Sequence, residues 1–363
     1  MATVPEEVFV FRIGNLGDTL VALPAVHRIA QLHKGARMTL ITNAPAHKGM
    51  VTAWDVLKHT GLFSRVIFYE RNHPLQLARL AYQCRQAHDP ILYYLTPSRT
   101  LRQVQRDRVF FQAACGFRRI KALSPSPTAS ERDATGKLVW LPRECDRLLT
   151  MVDPEGSPVQ DPPFLMPPEA AHERAAELLA PIAHRPIIAF GPGSKMPAKK
   201  WFLDRYVALV QRLVDEHPEV GVAVFGGSED HEDGETLVAA AGADRAVNVA
   251  GAANIIESAA ALARCKLYIG NDTGTMHLAG IMGVPCVAIF TSRANRDMWD
   301  PWGSEHVVLR RDLPCSGCLL ERCRKERMRC LDLIEVDDVW AAVAPRLQKL
   351  RAAAPVSAAP AAW

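Results

Sequence analysis

The chain has 363 residues, 48% hydrophobic and 23% charged. That is an ordinary globular composition, long enough for two domains whose cores need no disulfide or metal to form. The formal net charge of +4, from 43 Lys and Arg against 39 Asp and Glu, argues against a dedicated nucleic-acid binder, which carries a stronger basic excess.

Met1 to Glu7 hold two glutamates and no basic stretch, unlike a secretory signal. The next segment, Val8 to Ile13, is an apolar β-rich run. It leads through Gly14-Asn15-Leu16-Gly17-Asp18 into an amphipathic stretch from Leu23 to Ile29. This reads as strand, glycine loop and helix. Further strands are expected at Met38 to Thr42, Val66 to Tyr69 and Ile91 to Leu95, with helical stretches between. Such alternation predicts a parallel α/β sheet. Val152 to Pro168 contains six prolines and reads as an interdomain linker and hinge. A helix is predicted over Glu169 to Leu179, and the α/β pattern then restarts. Strands at Pro186 to Phe190, Val220 to Phe225, Leu267 to Gly270 and Val284 to Phe290 each run into a small or glycine-rich loop, and Tyr206 to Glu216 is helical. The apolar run from Leu278 to Phe290 is shorter than the ~20 residues of a membrane span. A cytoplasmic protein is expected, its nine cysteines present as thiols or metal ligands. Residues 1–165 and 166–351 form the two expected domains. Val336 to Leu350 is a candidate helix to cross back to the first, and 352–363 is an alanine- and proline-rich tail expected to be disordered.

Asn271-Asp272-Thr273-Gly274-Thr275-Met276-His277 follows a strand and opens a helix. Backbone N–H groups at such a helix start favour an anion such as a diphosphate. The plainer reading is a helix capped by Asp272 or Thr273. Gly191-Pro192-Gly193-Ser194 followed by Lys199-Lys200-Trp201 suits a nucleotide phosphate, although the spacing is not that of a Walker loop. Asp18, in a glycine loop beyond a strand end, is a candidate general base; alternatively it caps the helix that follows. Arg99, Arg102, Arg106 and Arg108 follow the strand ending at Leu95. They could bind phosphate or carboxylate in a planar fork, or form a solvated helix face. Cys315, Cys318, Cys323 and Cys330 are close enough in sequence to be candidate ligands of a structural zinc, or are free thiols in a loop.

Three motifs occur in a telling order: Gly17-Asp18-Thr19-Leu20-Val21-Ala22-Leu23-Pro24-Ala25, then Lys199-Lys200-Trp201, then Asn271 to Pro285. From about Val8 to Val343 the chain resembles glycosyltransferase family 9, the ADP-heptose:lipopolysaccharide heptosyltransferases. The resemblance implies a GT-B fold, two Rossmann-like domains with parallel sheets facing a central cleft. It implies inverting, metal-independent transfer with no required cofactor. Asp18 would be the general base and Lys200 the lysine that neutralises the leaving diphosphate. Gly193, Ser194, Asp272, Thr273, Gly274, Thr275 and His277 would bind the nucleotide-sugar donor. Asn15, Arg99 and Arg102 would bind an anionic glycan or lipid-linked acceptor. A lipid-linked acceptor would bring peripheral contact with the inner face of the inner membrane. Two departures stand out: Gly14-Asn15-Leu16 before Asp18, and Lys195-Met196-Pro197 in the middle loop. They bear on donor and acceptor rather than on fold. The rival readings are a nucleotide-sugar epimerase and a catalytically silent nucleotide-sugar or glycan-binding protein on the same fold. An NAD-dependent dehydrogenase is weaker, because no GxGxxG opens either domain with an acidic residue about 20 residues on.

Overall fold

A computed structural model describes residues 7–45, 51–156, 158–324 and 327–353. The first unit runs β1 (Glu7–Arg12), α1 (Leu16–Leu20), α2 (Leu23–Leu32), β2 (Arg37–Asn43), α3 (Ala53–Leu57), β3 (Phe63–Tyr69), α4 (Pro74–Arg85), β4 (Ile91–Leu95), α5 (Leu101–Val109), β5 (Arg119–Lys121) and α6 (Glu144–Val152). The second runs α7 (Glu169–Leu179), β6 (Ile187–Gly191), α8 (Leu203–Glu216), β7 (Gly221–Val224), α9 (His231–Ala241), β8 (Ala246–Asn248), α10 (Ile255–Leu262), β9 (Cys265–Asn271), α11 (Gly274–Ile281), β10 (Cys286–Ile289), β11 (Val307–Leu309), α12 (Arg329–Asp332) and α13 (Val336–Ala353).

Each unit has one parallel sheet, in the orders β3-β2-β1-β4-β5 and β11-β10-β9-β6-β7-β8. Helices cover both faces, so the strands are apolar on both sides. In β1, Val8 and Val10 pack with Val26 and Ile29 of α2. The alternate residues Phe9 and Phe11 pack on the other face with Leu80 of α4 and Val104 of α5. That split follows from the two-residue side-chain period of a strand. In α8, Tyr206, Leu209, Val210 and Leu213 are buried at helical spacing, turning Asp204 and Arg212 outward.

In a doubly wound sheet, ligands gather beyond the strand carboxyl ends where the strand order reverses. The reversal falls between β1 and β4 in the first sheet and between β6 and β9 in the second. The loops that follow these four strands therefore carry the site.

Three strands escape the sequence reading: β5, β8 and β11, each three residues long and each at a sheet edge. Three residues are too few to show a period. The expectation that the last helix crosses to the first domain is corrected. In α13, Val339, Val343 and Leu347 are buried in the same cluster as Leu209, Leu213 and Ile289 of the second domain. Helical structure extends to Ala353, and the rest of the expected tail, 354–363, lies outside the described residues.

The proline-rich segment is strapped to both units. Phe164 N–H donates to the Ile281 carbonyl at 3.0 Å, and the Phe164 carbonyl lies 2.8 Å from His27 Nε2. A second seam joins them nearby: Glu144 N–H donates to the Met298 carbonyl at 2.9 Å, and Arg143 Nη1 donates to the Pro301 carbonyl at 3.1 Å. Among the described residues, no helix is long and apolar enough to cross a membrane.

Candidate active site

The loop after β1 is built around Asp18. Gly14 has φ +137°, and a Cβ there would lie 2.7 Å from Asp18 Cβ, so only glycine lets the chain turn here. Asn15 N–H donates to Asp18 Oδ2 at 2.8 Å, and Asn15 and Asp18 close a reciprocal cap on α1. The plainer reading, with Asp18 as the cap of a helix starting near Thr19, is corrected in its register: the helix starts at Leu16, Asn15 is the N-cap, and Asp18 reaches back to it from the third helical position. The cap also fixes the carboxylate at the crevice in a half-buried position.

A buried charge network missed by the sequence reading supports this loop. Arg12 is fully buried and donates from Nη1 to the Leu95 carbonyl at 3.0 Å and from Nη2 to the Asp18 carbonyl. Burial lowers its pKa, with Asp18 and Glu144 opposing that effect. Arg147 donates to both oxygens of Glu144 at 2.7 Å and to the Thr96 carbonyl at 2.8 Å. The loops after β1 and β4 are thus tied together from beneath. The available signal was an arginine ending an otherwise apolar strand, since arginine is almost never fully buried unless paired.

Beyond β4, Arg99 is half-buried and Arg102 is exposed on the first turn of α5. Arg99 Nε, Ser98 Oγ, Ser126 Oγ and, in the buried part of β2 near its carboxyl end, Thr42 Oγ1 are buried polar atoms without a hydrogen-bond partner among the described residues. Ser126 N–H donates to the Arg99 carbonyl at 3.0 Å, so the two serines and Arg99 share one neighbourhood.

In the second domain, Asn271 at the end of β9 organises that domain's side of the crevice. Its side chain is fully buried. Oδ1 accepts from Trp201 N–H at 3.1 Å and the Tyr206 hydroxyl at 3.0 Å. Nδ2 donates to the carbonyls of Pro192 and Gly193 at 2.7 and 3.3 Å. One side chain therefore locks the loops after β6 and β9 into a single surface. Thr273 is the N-cap of α11 but makes no side-chain capping bond, and Asp272 is engaged elsewhere. Neither residue fills the capping role of the plainer reading, which leaves the start of α11 suited to an anion.

Lysines 199 and 200 diverge. Lys199 Nζ lies 2.6 Å from Asp272 Oδ2 within the Asn271–Gly274 loop. Lys200 Nζ lies 3.6 Å from Asp230 Oδ1 and 3.3 Å from Asp233 Oδ2, on the side of α9. Asp230 also accepts from Gly227 N–H at 3.0 Å, and burial raises its pKa. A Cβ on Gly193 would fall 2.0 Å from the Asp230 carboxyl carbon, so glycine permits this packing. Ser194 Oγ accepts from Met196 N–H at 3.2 Å and shapes the turn.

The two halves meet at α1 and α11. A Cβ on Gly274 would lie 3.0 Å from Leu16 Cδ2, and one on Gly17 would lie 3.8 Å from His277 Cδ2. His277 is buried and its pKa is pushed down to about 4 by desolvation. It feels the charges of Asp272, Lys199 and Asp18 together. Of the residues expected from sequence, Asp18, Asp272, Gly274 and His277 come together where α1 meets α11, with Lys199 beside Asp272, whereas Lys200 is turned to Asp230 and Asp233.

The four cysteines expected as zinc ligands line one cavity of about 30 Å³, together with Arg293 and Met328. However, among the described residues no three His, Cys, Asp or Glu side chains are gathered closely enough to hold a metal ion. Closeness in sequence places the thiols around a common space without bringing them into one ligand sphere.

Residues 159–329 match the family model for glycosyltransferase family 9 (heptosyltransferase). Lipopolysaccharide heptosyltransferase 2 of Escherichia coli K12 is 35% identical over 132 residues, which is 35% of this chain and 37% of that relative. The matched stretch thus spans little more than a third of that curated relative. The whole fold is shared more widely. A solved E. coli ADP-heptose lps heptosyltransferase II superposes with TM-score 0.67 at 20% identity, covering 95% of this chain and 99% of that one. A glycosyl transferase family 9 structure from Veillonella parvula gives TM-score 0.71 at 18% identity, covering 96% and 99%. Two parallel-sheet domains facing a cleft make a GT-B fold, the fold shared with these solved structures, and within it residues 159–329 match glycosyltransferase family 9.

Proposed function

We propose that the chain is an inverting glycosyltransferase that moves a sugar from a nucleotide-activated donor onto an anionic glycan, with Asp18 as general base. The observation that carries this reading is the meeting of α1 and α11, which sets the Asp18 loop against the Asn271–Gly274 loop and Lys199. In the proposed step, Asp18 takes the proton of the acceptor hydroxyl. That oxygen bonds to the anomeric carbon as the bond to the diphosphate oxygen breaks, and the nucleoside diphosphate leaves with both electrons. The α11 start and Lys199 offset the charge developing on the leaving group. Lys200, expected from sequence for that task, would act from the far side of the glycine loop. His277, held neutral by burial, leaves the local positive charge to Lys199.

The matched relatives support heptose from ADP-heptose as donor and a lipopolysaccharide core as acceptor. The unpartnered Arg99, Ser98 and Ser126 atoms support an acceptor rich in carboxylate or phosphate oxygens. The test is calorimetry with ADP, UDP and GDP sugars, followed by turnover of Asp18→Asn. Loss of the general base lowers kcat about 10²- to 10⁴-fold while donor affinity stays within about twofold. Wild-type turnover by the variant removes the assigned base. Preference for a UDP- or GDP-sugar replaces the donor.

A further inference from the structure

Residues 71–121 hold nine arginines and one lysine against two aspartates, a net +8 in a chain whose total is +4. The remainder of the protein is therefore net acidic, and positive charge is concentrated on the part of the first domain that carries α4 and α5.

The same two helices carry exposed apolar side chains. Leu75 and Tyr82 of α4 are 77% and 67% exposed; Leu101 and Val109 of α5 are 57% and 65% exposed. Side chains seven or eight residues apart share a helix face, so each helix presents one such pair. Both helices turn their buried residues, Leu80 and Val104, onto the same face of the first sheet. Their outer faces therefore look away from the sheet on the same side. Exposed Arg79 lies between Leu75 and Tyr82, and exposed Arg106 between Leu101 and Val109. The helix starts lie nearest the crevice, because α4 follows the carboxyl end of β3 and α5 that of β4.

We propose that the outer face of α4 and α5 docks onto an anionic lipid bilayer, with the four apolar side chains entering the interface and the surrounding arginines facing acidic headgroups. Apolar side chains interleaved with arginines match the two attractions that hold a peripheral protein on such a surface, burial of apolar area and pairing with acidic lipid. A nucleic acid would use the charge but not Leu75, Leu101 and Val109. A protein partner would favour a continuous apolar core rather than apolar residues separated by cations. Docked this way, the crevice mouth lies beside the membrane surface, where a lipid-linked acceptor is presented. The docking does not depend on the transfer reaction, so its failure and that reaction's failure are separable.

The experiment is flotation of the full chain with phosphatidylcholine vesicles, with and without phosphatidylglycerol, at low and high salt. Binding to the mixed vesicles, weakened by salt, is expected. Arg79→Glu with Arg106→Glu lowers the partition coefficient at least about tenfold. Leu75→Gln with Tyr82→Ser and Val109→Gln lowers it by a similar factor with unchanged thermal unfolding, which shows that the surface and not the fold was altered. Trp140→Ser, at an equally exposed apolar side chain elsewhere (69% exposed), leaves it unchanged. Binding to both vesicle types alike, retention by the charge-reversed variant, or loss in Trp140→Ser to the same degree overturns the proposal. So does tighter binding to duplex DNA than to the mixed vesicles at matched salt.

Discussion

Replacing Asn271 should destabilise the second domain and, on the proposed reading, weaken donor binding together. The side chain is fully buried and holds four partners: Trp201 N–H, the Tyr206 hydroxyl and the carbonyls of Pro192 and Gly193. Asn271→Ala leaves two donors and two acceptors in an apolar setting without their partner. Each unsatisfied buried group costs about 1–3 kcal/mol. The Pro192 and Gly193 carbonyls sit in a loop that can turn towards water, whereas Trp201 N–H and Tyr206 are locked in the core, so about 3–5 kcal/mol is expected. That is a large share of the typical 5–15 kcal/mol of a folded protein. Urea unfolding followed by tryptophan fluorescence reads the loss, since Trp201 sits at the junction. Asn271→Asp separates the contributions: its oxygens still accept from Trp201 and Tyr206, but a carboxylate then faces two carbonyls without a donor. It should fall nearer the alanine variant than the wild type. A loss under about 1 kcal/mol in Asn271→Ala would refute the idea that this side chain couples the two loops.

Three further predictions follow from the same geometry. Lys199→Ala should lower kcat at least about tenfold more than Lys200→Ala, because Lys199 faces Asp272 and a buried interaction made in the transition state exceeds a half-exposed one; equal losses would return Lys200 to the leading role. His277 has a folded pKa near 4 against an ordinary 6.5, so its contribution is intact above about 6.5 and is lost as pH falls towards 4, about 3 kcal/mol at the limit. Burial shifts His27 and His306 in the same direction; a His277→Gln variant with an unchanged acid slope between those pH values would contradict this. Cys315, Cys318, Cys323 and Cys330 are partly exposed while the other five cysteines are buried, so a thiol reagent should label the four rapidly in native protein and all nine only after unfolding. Fast labelling of Cys265 or Cys286, whose thiols burial pushes well up, would be inconsistent with the core described.

Much of the fold was legible because the signals are local. Alternating apolar runs and glycine loops mark the strands and their ends, and β4 and α7 fall where the pattern places them. The Asp18 and Asn271–Gly274 motifs are contiguous, so one sequence carries both. Edge strands of three residues lack that local signal. The destination of α13 was likewise not legible, because an apolar face states that a helix packs but not on what.

The tertiary structure alone decided how the site is assembled. Strand order puts the loops after β6 and β9 side by side, although Gly191 and Asn271 are far apart in the chain. Lys199 and Lys200 are neighbours with the same chemistry; only the turn between Pro197 and Trp201 sends one to Asp272 and the other to Asp230 and Asp233. Arg12 reads as a polar strand end until Leu95, Asp18 and Glu144 surround it. Residue types and short spacings fix which chemistry is available. Which side chains share a crevice depends on long-range packing, where charges are held by partners distant in sequence and desolvated by a core that no local pattern encodes.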